Sequence, residues 1–198
     1  MKVRNVLAVL ALVLSASAGA REAGTWIGRV GITTVDPKSN NSEIVDVDSG
    51  TSLNLNAVYF FSENWAIDVL AAWPFGHDIE LKDGTEVGDT DHLPPTVSIQ
   101  YHFNPAERLY PYVGVGVNYT RFFSEDTTGP LAGTDLSLDD SFGLALQLGA
   151  DWQLNENWFL NVDARWMDID TEAKLDGVSI GDVEIDPITY GISLGYKF

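Results

Sequence analysis

Residues 63–73 read ENWAIDVLAAW, and residues 156–166 read ENWFLNVDARW. Both stretches begin with Glu-Asn-Trp, and in both a second Trp follows the first after eight positions. Every second residue between the two tryptophans is apolar: Ile67, Val69 and Ala71 in one stretch, and Leu160, Val162 and Ala164 in the other. Such period-two alternation is typical of a β-strand with one apolar face. The repeated length needs an explanation of its own.

The same alternation recurs along the rest of the chain, which shows almost no helical periodicity. Six further segments carry it, near 25–35, 52–61, 96–103, 112–119, 142–149 and 188–198. Together with the two tryptophan stretches they predict eight strands. Their connections alternate between short turns, near 62–64, 104–108 and 155–157, and long acidic links, near 36–51, 74–93, 124–140 and 170–185.

The two faces of these strands differ in side-chain size. In the last strand Ile188, Tyr190 and Ile192 share one face, whereas Thr189 and Gly191 lie on the other. A soluble barrel places its large apolar side chains inside, and small polar residues could not fill such a core. We therefore expect the large face to point into lipid. The sequence predicts an all-β fold, an eight-stranded antiparallel transmembrane β-barrel; a soluble β-protein is the alternative.

The tryptophan spacing fits this fold. Eight residues at about 3.3 Å each extend roughly 26 Å along a strand, or roughly 20 Å across the membrane at a tilt of about 40°. The apolar band of such barrels is about 25 Å tall, with aromatic girdles at both edges. Because indole favours the interface, we expect Trp65 and Trp158 at the periplasmic interface and Trp73 and Trp166 at the outer one.

The N-terminus and the charge of the chain narrow the class further. Lys2 and Arg4 precede an apolar run at 6–14, and Ala18-Gly19-Ala20 fits a cleavage site. This pattern predicts a signal peptide over residues 1–20, which is removed, and a barrel over residues 21–198. The chain has no cysteine and therefore forms no disulfide. Its net charge of −18 excludes nucleic-acid binding as its function.

Several stretches resemble the outer membrane protein W (OmpW) family of Gram-negative bacteria. They are VLAAWPF (69–75), DHLPPT (91–96), YPYVGVGVNYTRFF (110–123), DLSLDDSFG (135–143), WMDID (166–170) and the C-terminal GYKF. The resemblance implies a location in the outer membrane with both termini periplasmic, and a barrel with a narrow, partly apolar channel for small hydrophobic solutes. The terminal Phe198 resembles the signal that the outer-membrane assembly machinery reads.

Strand phase places six charged residues on the lumen side: Arg29, Asp68, Asp151, Asp163, Arg165 and Lys197. Charges in a narrow interior must be paired or hydrated. We expect them to form a salt-bridge network that plugs the barrel near its periplasmic end, with a conducting role as the alternative. Leu70, Ala72 and Met167 lie higher on the same side and could line an apolar funnel, which Arg165 would make more polar.

Pro94 and Pro95 interrupt the pattern, since proline cannot donate a ladder hydrogen bond. The pair either begins the fourth strand or leaves a gap in the wall, through which an apolar solute could leave sideways into the bilayer.

Catalytic and metal sites are poorly supported. His77 and His92 belong near one outer loop, beside Asp78 and Asp91, but no nucleophile motif accompanies them, so we expect no enzyme. Two groups of acids fall in the long links, Asp135, Asp139 and Asp140 in one and Asp168, Asp170 and Glu172 in another. We expect solvated loops that divalent cations could bridge loosely to anionic lipopolysaccharide, with no specific metal site and no cofactor.

Two functions remain open at this point. The first is a narrow outer-membrane channel for small hydrophobic or amphipathic molecules, with lateral exit into the bilayer. The second is a structural or surface-interaction barrel that contacts lipopolysaccharide, cations or host surfaces without transport. An ion-conducting porin is a weaker hypothesis, because eight strands leave no open aqueous pore.

Overall fold

The computed structural model of the chain describes residues 22–38, 45–103 and 108–198. The expected signal peptide, residues 1–20, lies outside them. The described residues form fourteen strands and one 3-10 turn, Gly129–Leu131. The strands are β1 (Trp26–Asp36), β2 (Val45–Val47), β3 (Gly50–Phe60), β4 (Trp65–Ala72), β5 (Phe75–Leu81), β6 (Glu86–Leu93), β7 (Thr96–His102), β8 (Leu109–Thr127), β9 (Leu136–Leu138), β10 (Ser141–Gln153), β11 (Trp158–Met167), β12 (Asp170–Leu175), β13 (Val178–Glu184) and β14 (Ile188–Lys197).

Eight of these strands close a barrel. The strands β1, β3, β4, β7, β8, β10, β11 and β14 pair antiparallel in that order. The last strand then pairs with the first, with Ile192 opposite Ile32. Closure leaves none of the eight with an open edge, which is a condition for crossing lipid with strands. The predicted fold class is confirmed.

The wall has an apolar outside and a small, polar inside. Val162 is 49% exposed on the outer face, whereas its neighbour Asn161 is 1% exposed inside. Glycine inside the barrel makes room for one large ring, because a Cβ on Gly149 would lie 2.4 Å from Cζ of Tyr112. The strands therefore show their large residues to lipid and keep small ones where side chains from opposite walls meet.

Aromatic rings gather where the turns are short, around 61–64 and 154–157, which we call the short-turn end. Two of the rings predicted there make edge-to-face contacts with partners across the sheet. Trp65 lies 5.0 Å from Tyr101, and Trp158 lies 4.9 Å from Tyr196, between ring centroids. At the opposite end Trp73 is 64% exposed and Trp166 is half-buried. The four tryptophans thus lie near the two ends of their wall strands.

The long links are more ordered than the sequence analysis expected. They form six additional strands beyond the barrel, and β8 itself continues upward to Thr127. In one group β2, β5, β6 and the upper part of β8 are neighbours; in the other β9, β12 and β13 pair. Alternation continues within these links: Phe75, His77 and Ile79 are buried, and Gly76 and Asp78 are exposed. The high acid content of the links concealed this pattern.

These two groups of strands enclose an apolar core of their own at the long-link end. Its buried members are Phe122, Ala145, Met167, Ile169, Ala173, Val183 and Ile185. No helix among the described residues is long and apolar enough to cross a membrane.

Candidate functional site

An apolar cavity of about 260 Å³ lies between the two groups of strands at the long-link end. Its walls come from β2, β5, β6 and β8 on one side and from β9, β12 and β13 on the other. Its lining includes Val47, Ile79, Val87, Phe122, Leu138, Ala173, Ile180 and Val183, together with His77 and His92. We call this space the outer cavity. A pocket with apolar walls and a few polar groups is the usual form of a small-molecule site.

The two histidines form the polar part of the outer cavity. Their rings stack with centroids 4.7 Å apart, and His92 also lies 5.5 Å from Phe75. Both histidines are nearly inaccessible to solvent. Their aspartate neighbours alternate to the other face of each strand: Asp78 is exposed and Asp91 half-buried. The structure therefore brings the histidines together and directs these two carboxylates away from them.

Burial favours the neutral form of both histidines. Burial, the larger cause, and the neighbouring His77 together lower the pKa of His92 to about 3. Burial also lowers the pKa of His77, against a hydrogen bond to the backbone of Asp48 and the charges of nearby aspartates. A cation in this apolar site would lose its hydration with little compensation.

A second, much smaller cavity of about 10 Å³ lies one level deeper in the barrel. Leu70, Pro94, Arg165 and Met167 line it, together with Phe75, Asn54, Asp163 and other residues. Four residues predicted to belong to the funnel or the exit thus meet at one constriction. Ala72 lines neither cavity and is half-buried at the end of β4.

Below this constriction, paired charges fill the barrel. Arg165 contacts Asp68 through Nη2 and Asp163 through Nε, each at 2.9 Å. Arg29 contacts Asp151 at 2.8 Å, and both side chains are almost fully buried. Polar side chains link these two clusters. Asn161 donates to Asp151 at 2.8 Å and to the Tyr112 hydroxyl at 3.0 Å, and Gln147 donates to the same hydroxyl at 3.4 Å and to Asp163 at 3.2 Å.

The short-turn end of the lumen is closed by apolar side chains rather than by the charge network. Ile27, Val58, Phe60, Ala66, Tyr110 and Phe159 form one buried cluster there. The predicted network is therefore displaced upward, to the middle of the barrel. Lys197 is not part of it: this residue pairs in register with Ile27 at the very end of the wall, is half-buried, and forms no ion pair with any described residue.

Pro94 and Pro95 lie in the wall between β6 and β7, so neither proline belongs to a strand. On one side the wall is joined, because Tyr119 N–H donates to the Pro95 carbonyl at 3.1 Å. On the other side the pairing of β4 with β7 ends at Leu70 and Thr96. The Pro94 carbonyl instead accepts from side chains inside the barrel, Thr96 Oγ1 at 3.1 Å and Asn118 Nδ2 at 3.3 Å.

The comparisons with known proteins agree with this architecture. The family profile of OmpW matches residues 22–198. The chain is 43% identical to outer membrane protein W of Vibrio cholerae, with 97% of each chain covered. It is 40% identical to outer membrane protein W of Escherichia coli, with 97% of this chain and 96% of the relative covered.

The chain belongs to the OmpW family. The crystal structure of the outer membrane protein OprG from Pseudomonas aeruginosa is similar to this structure with a TM-score of 0.82 and 36% sequence identity, covering 90% of this chain and 98% of that one. This OmpW-family barrel therefore lies in the outer membrane of a Gram-negative bacterium and contacts its lipids. Because outer-membrane barrels have short periplasmic turns and longer outer loops, we assign the long-link end as the outer end and the short-turn end, where β1 begins and β14 finishes, as the periplasmic end.

The acidic links of this OmpW-family protein are partly paired. Asp168, Asp170 and Asp186 place ligand oxygens within 4.8 Å of one another, but Lys38 already contacts Asp186 at 2.9 Å. Glu172 is directed elsewhere, to Lys174 at 3.2 Å. Of the acids grouped in the sequence analysis, Asp135, Asp139 and Asp140 are not among the described clusters with metal-binding geometry. The cluster that forms includes Asp186, which was not grouped with Asp168 and Asp170 from the sequence because it lies in a different part of the link.

Two functional features escaped the sequence analysis. The outer cavity draws its lining from links that were read as loops, although alternation in FGHDIEL (75–81) was a usable signal. The apolar periplasmic closure was also missed. Its signal is the run AVYFF (57–61), which is apolar on both faces and therefore predicts a strand end buried on both sides.

Proposed function

We propose that this protein is a narrow outer-membrane channel that admits small hydrophobic or amphipathic molecules. One observation carries the proposal: an apolar cavity of about 260 Å³ lies at the outer end of a barrel whose lumen is filled below it. An apolar chamber facing the outside would stabilise apolar solutes that lipopolysaccharide excludes. The family resemblance, which implies uptake of such solutes, points in the same direction.

The filled lumen supports a sideways route. A solute leaving the outer cavity would pass Leu70 and Met167 at the constriction, and then meet Arg165 and its paired carboxylates. A solute that entered this network would separate the buried charges from their partners, which is energetically unfavourable. The lower-cost path is through the wall beside Pro94, where the pairing of β4 with β7 has ended. The same network and the apolar closure argue against an open path for ions.

We also propose a non-enzymatic role, because no serine or cysteine stands beside the two histidines among the described residues that line the outer cavity. The remaining partners follow from position. The acidic outer links suit cation-bridged contact with lipopolysaccharide. Phe198 is the proposed signal for the assembly machinery, and two observations support this role: its side chain is 79% exposed, and its N–H donates to the Trp26 carbonyl oxygen at 3.0 Å.

Entry of naphthalene into vesicles tests the channel. The vesicles carry lipopolysaccharide in the outer leaflet, and naphthalene fluorescence reports arrival in the apolar membrane. We expect faster entry with the protein than without it. Ala173→Trp, which fills the outer cavity from β12, should remove most of the gain. Val178→Trp, on the exposed side of the adjoining β13, is the matched control and should leave the gain unchanged.

The alternative is a structural or surface-interaction barrel. The filled lumen favours this alternative, because a barrel with a filled interior can serve a structural role without transporting a solute. Folded wild-type protein that enters vesicles correctly and yet gives naphthalene no faster entry than protein-free vesicles would support this alternative and refute the channel. Equal loss of entry in Ala173→Trp and Val178→Trp would refute the outer cavity as the entrance.

A further inference from the structure

The histidine pair offers hydrogen-bonding atoms that the protein itself leaves unused. The Nε2 atoms of His77 and His92 are buried and have no hydrogen-bond partner among the described residues. Both side chains line the outer cavity. Buried polar atoms in folded proteins are nearly always bonded, so each exception asks for a reason. A ligand group that completes the pair would supply one.

The protonation of His77 follows from its contact with the backbone. Its Nδ1 atom is hydrogen-bonded to the carbonyl oxygen of Asp48. A carbonyl oxygen only accepts, so Nδ1 must carry the proton. In the neutral ring the other nitrogen then has a free lone pair. Nε2 of His77 is therefore a hydrogen-bond acceptor at the cavity wall.

The backbone holds this ring in place. A Cβ on Gly50 would lie 2.9 Å from Cε1 of His77 and 2.7 Å from the Gly76 carbonyl oxygen. Only glycine allows β3 to approach β5 so closely. The acceptor is thus fixed in position, which reduces the entropy that a ligand must overcome.

His92 completes the pair. Its ring lies between His77, at 4.7 Å, and Phe122, at 5.8 Å between centroids. In the neutral ring one nitrogen donates and the other accepts, so its Nε2 can donate where the ligand presents an acceptor. One group that both donates to His77 and accepts from His92 is a hydroxyl. Its oxygen would lie about 2.8 Å from each nitrogen.

We infer that the outer cavity selects uncharged apolar molecules that carry a hydroxyl group, such as phenols and aliphatic alcohols, and that His77 and His92 bind that hydroxyl. This inference rests on the proposed function, because it names the solute class of the same cavity. An ether or a hydrocarbon of the same shape gives His77 no donor. An anion is disfavoured, since Asp182 is the only charged side chain among the described lining residues.

Three probes of one shape test the selection: 2-naphthol, 2-methoxynaphthalene and naphthalene. Their binding to the full chain in lipid nanodiscs at neutral pH is measured by fluorescence. We expect wild type to bind 2-naphthol roughly five- to tenfold more tightly than 2-methoxynaphthalene, the value of one net hydrogen bond. His77→Phe keeps the ring stack and should lose this preference. Asp78→Asn, the outward neighbour, should keep it.

Nitrogen NMR of ¹⁵N-histidine-labelled wild type provides a readout that needs no variant to fold. We expect His77 to carry its proton on Nδ1, and its Nε2 signal to shift on addition of 2-naphthol but not of 2-methoxynaphthalene. A proton on Nε2, or equal affinity for the two probes, would overturn the inference. If all three probes bind alike and naphthalene still enters vesicles faster with the protein, the channel stands and only the selection fails. If 2-naphthol binds preferentially but entry is not accelerated, the channel fails and the binding site stands.

Discussion

Arg29 shows what a charge contributes inside this barrel. Its guanidinium contacts Asp151 at 2.8 Å and lies over the Tyr112 ring, with Cζ 5.2 Å from the ring centroid. Arg29→Met would take this cation away from Asp151, which is almost fully buried and also accepts a hydrogen bond from the Asn161 amide. Because breaking a buried ion pair by removing one partner is costly, we expect a loss of about 3–5 kcal/mol in the free energy of unfolding, measured by reversible urea unfolding in bilayers.

The double variant Arg29→Met with Asp151→Asn should recover much of this loss, since it removes both charges. Lys82→Met is the exposed comparison. Lys82 pairs with Asp46 near the tip of the β5–β6 hairpin, and loss of a surface pair costs about 0–1 kcal/mol. A double variant as unstable as Arg29→Met would mean that packing of the long side chain matters more than its charge.

His92 couples the outer cavity to pH. Burial holds its pKa near 3, against an ordinary value of 6.5. At a pH between these two pKa values, His92 binds a proton in the unfolded chain but not in the folded chain, so falling pH favours unfolding. We expect wild type to lose about 2–3 kcal/mol of unfolding free energy between neutral pH and pH 4.5 from this residue. Urea unfolding at both pH values measures it.

His92→Phe keeps a ring between Phe75 and Phe122 and removes the titrating group. The variant should lose less stability than wild type over the same pH range, although His77 and the outer carboxylates still titrate in it. An identical loss in both proteins would show that His92 accepts a proton without strain, contrary to its burial.

The sequence located charged residues better than it located their partners. Strand phase alone placed Arg29, Asp68, Asp151, Asp163 and Arg165 inside the barrel, because a period of two fixes which face a residue occupies. It could not say that Arg165 reaches across to Asp68, 97 positions away along the chain. Lys197 shows the limit of the phase rule, since the last residue of a wall faces its end as much as its interior.

At the scale of elements, the wall beside Pro94 is the feature with the clearest consequence. In β7, N–H groups at even positions point to β4, as His102 does to Asn64, and those at odd positions point to β8, as Phe103 does to Pro111. An N–H restored at 94 would thus face β4, and one restored at 95 would face β8. Substitution of one proline at a time therefore distinguishes the β4 side of the wall, where pairing has ended, from the β8 side, where Tyr119 bonds to Pro95.

Pro94→Ala should extend the β4–β7 ladder by one hydrogen bond, to Ala72, and narrow the gap. We expect naphthalene entry into vesicles to fall and thermal stability to stay level or rise. Pro95→Ala is the matched control, because β8 is already joined there through Tyr119, and it should leave entry unchanged. If folded Pro94→Ala admits naphthalene at the wild-type rate, lateral exit at this point is wrong. The two prolines would then only connect β6 to β7.

Prediction from sequence was least successful for elements outside the membrane. Eight wall strands are visible because lipid demands a strict apolar face on each. The outer strands pack against one another in water, so their exposed faces carry acids, and β2 and β9 have only three residues each. The outer cavity depends on how these short strands from distant links assemble. Its histidine pair joins β5 to β6, which no spacing rule identifies.

At the scale of the molecule, the proposed function divides stability and transport along the barrel axis. The periplasmic half holds Trp65, Trp158, the apolar closure and the ion pair of Arg29, whereas the outer part holds the cavity and the wall beside Pro94. A solute route confined to the outer half leaves the lower barrel free to be a rigid, filled anchor. This division requires the outer end to face the surroundings, which labelling can decide.

Single cysteines report the orientation, because the chain has none of its own. We place them at Asp83, in the turn between β5 and β6, at Val178, exposed at the start of β13, and at Glu156, in the turn between β10 and β11. A membrane-impermeant maleimide applied to intact cells should label the first two positions and spare the third. All three should react after the outer membrane is permeabilised, which controls for accessibility. Labelling of Glu156→Cys alone in intact cells would mean that the barrel has the opposite orientation. The outer cavity would then face the periplasm, and the sealed end would face the lipopolysaccharide.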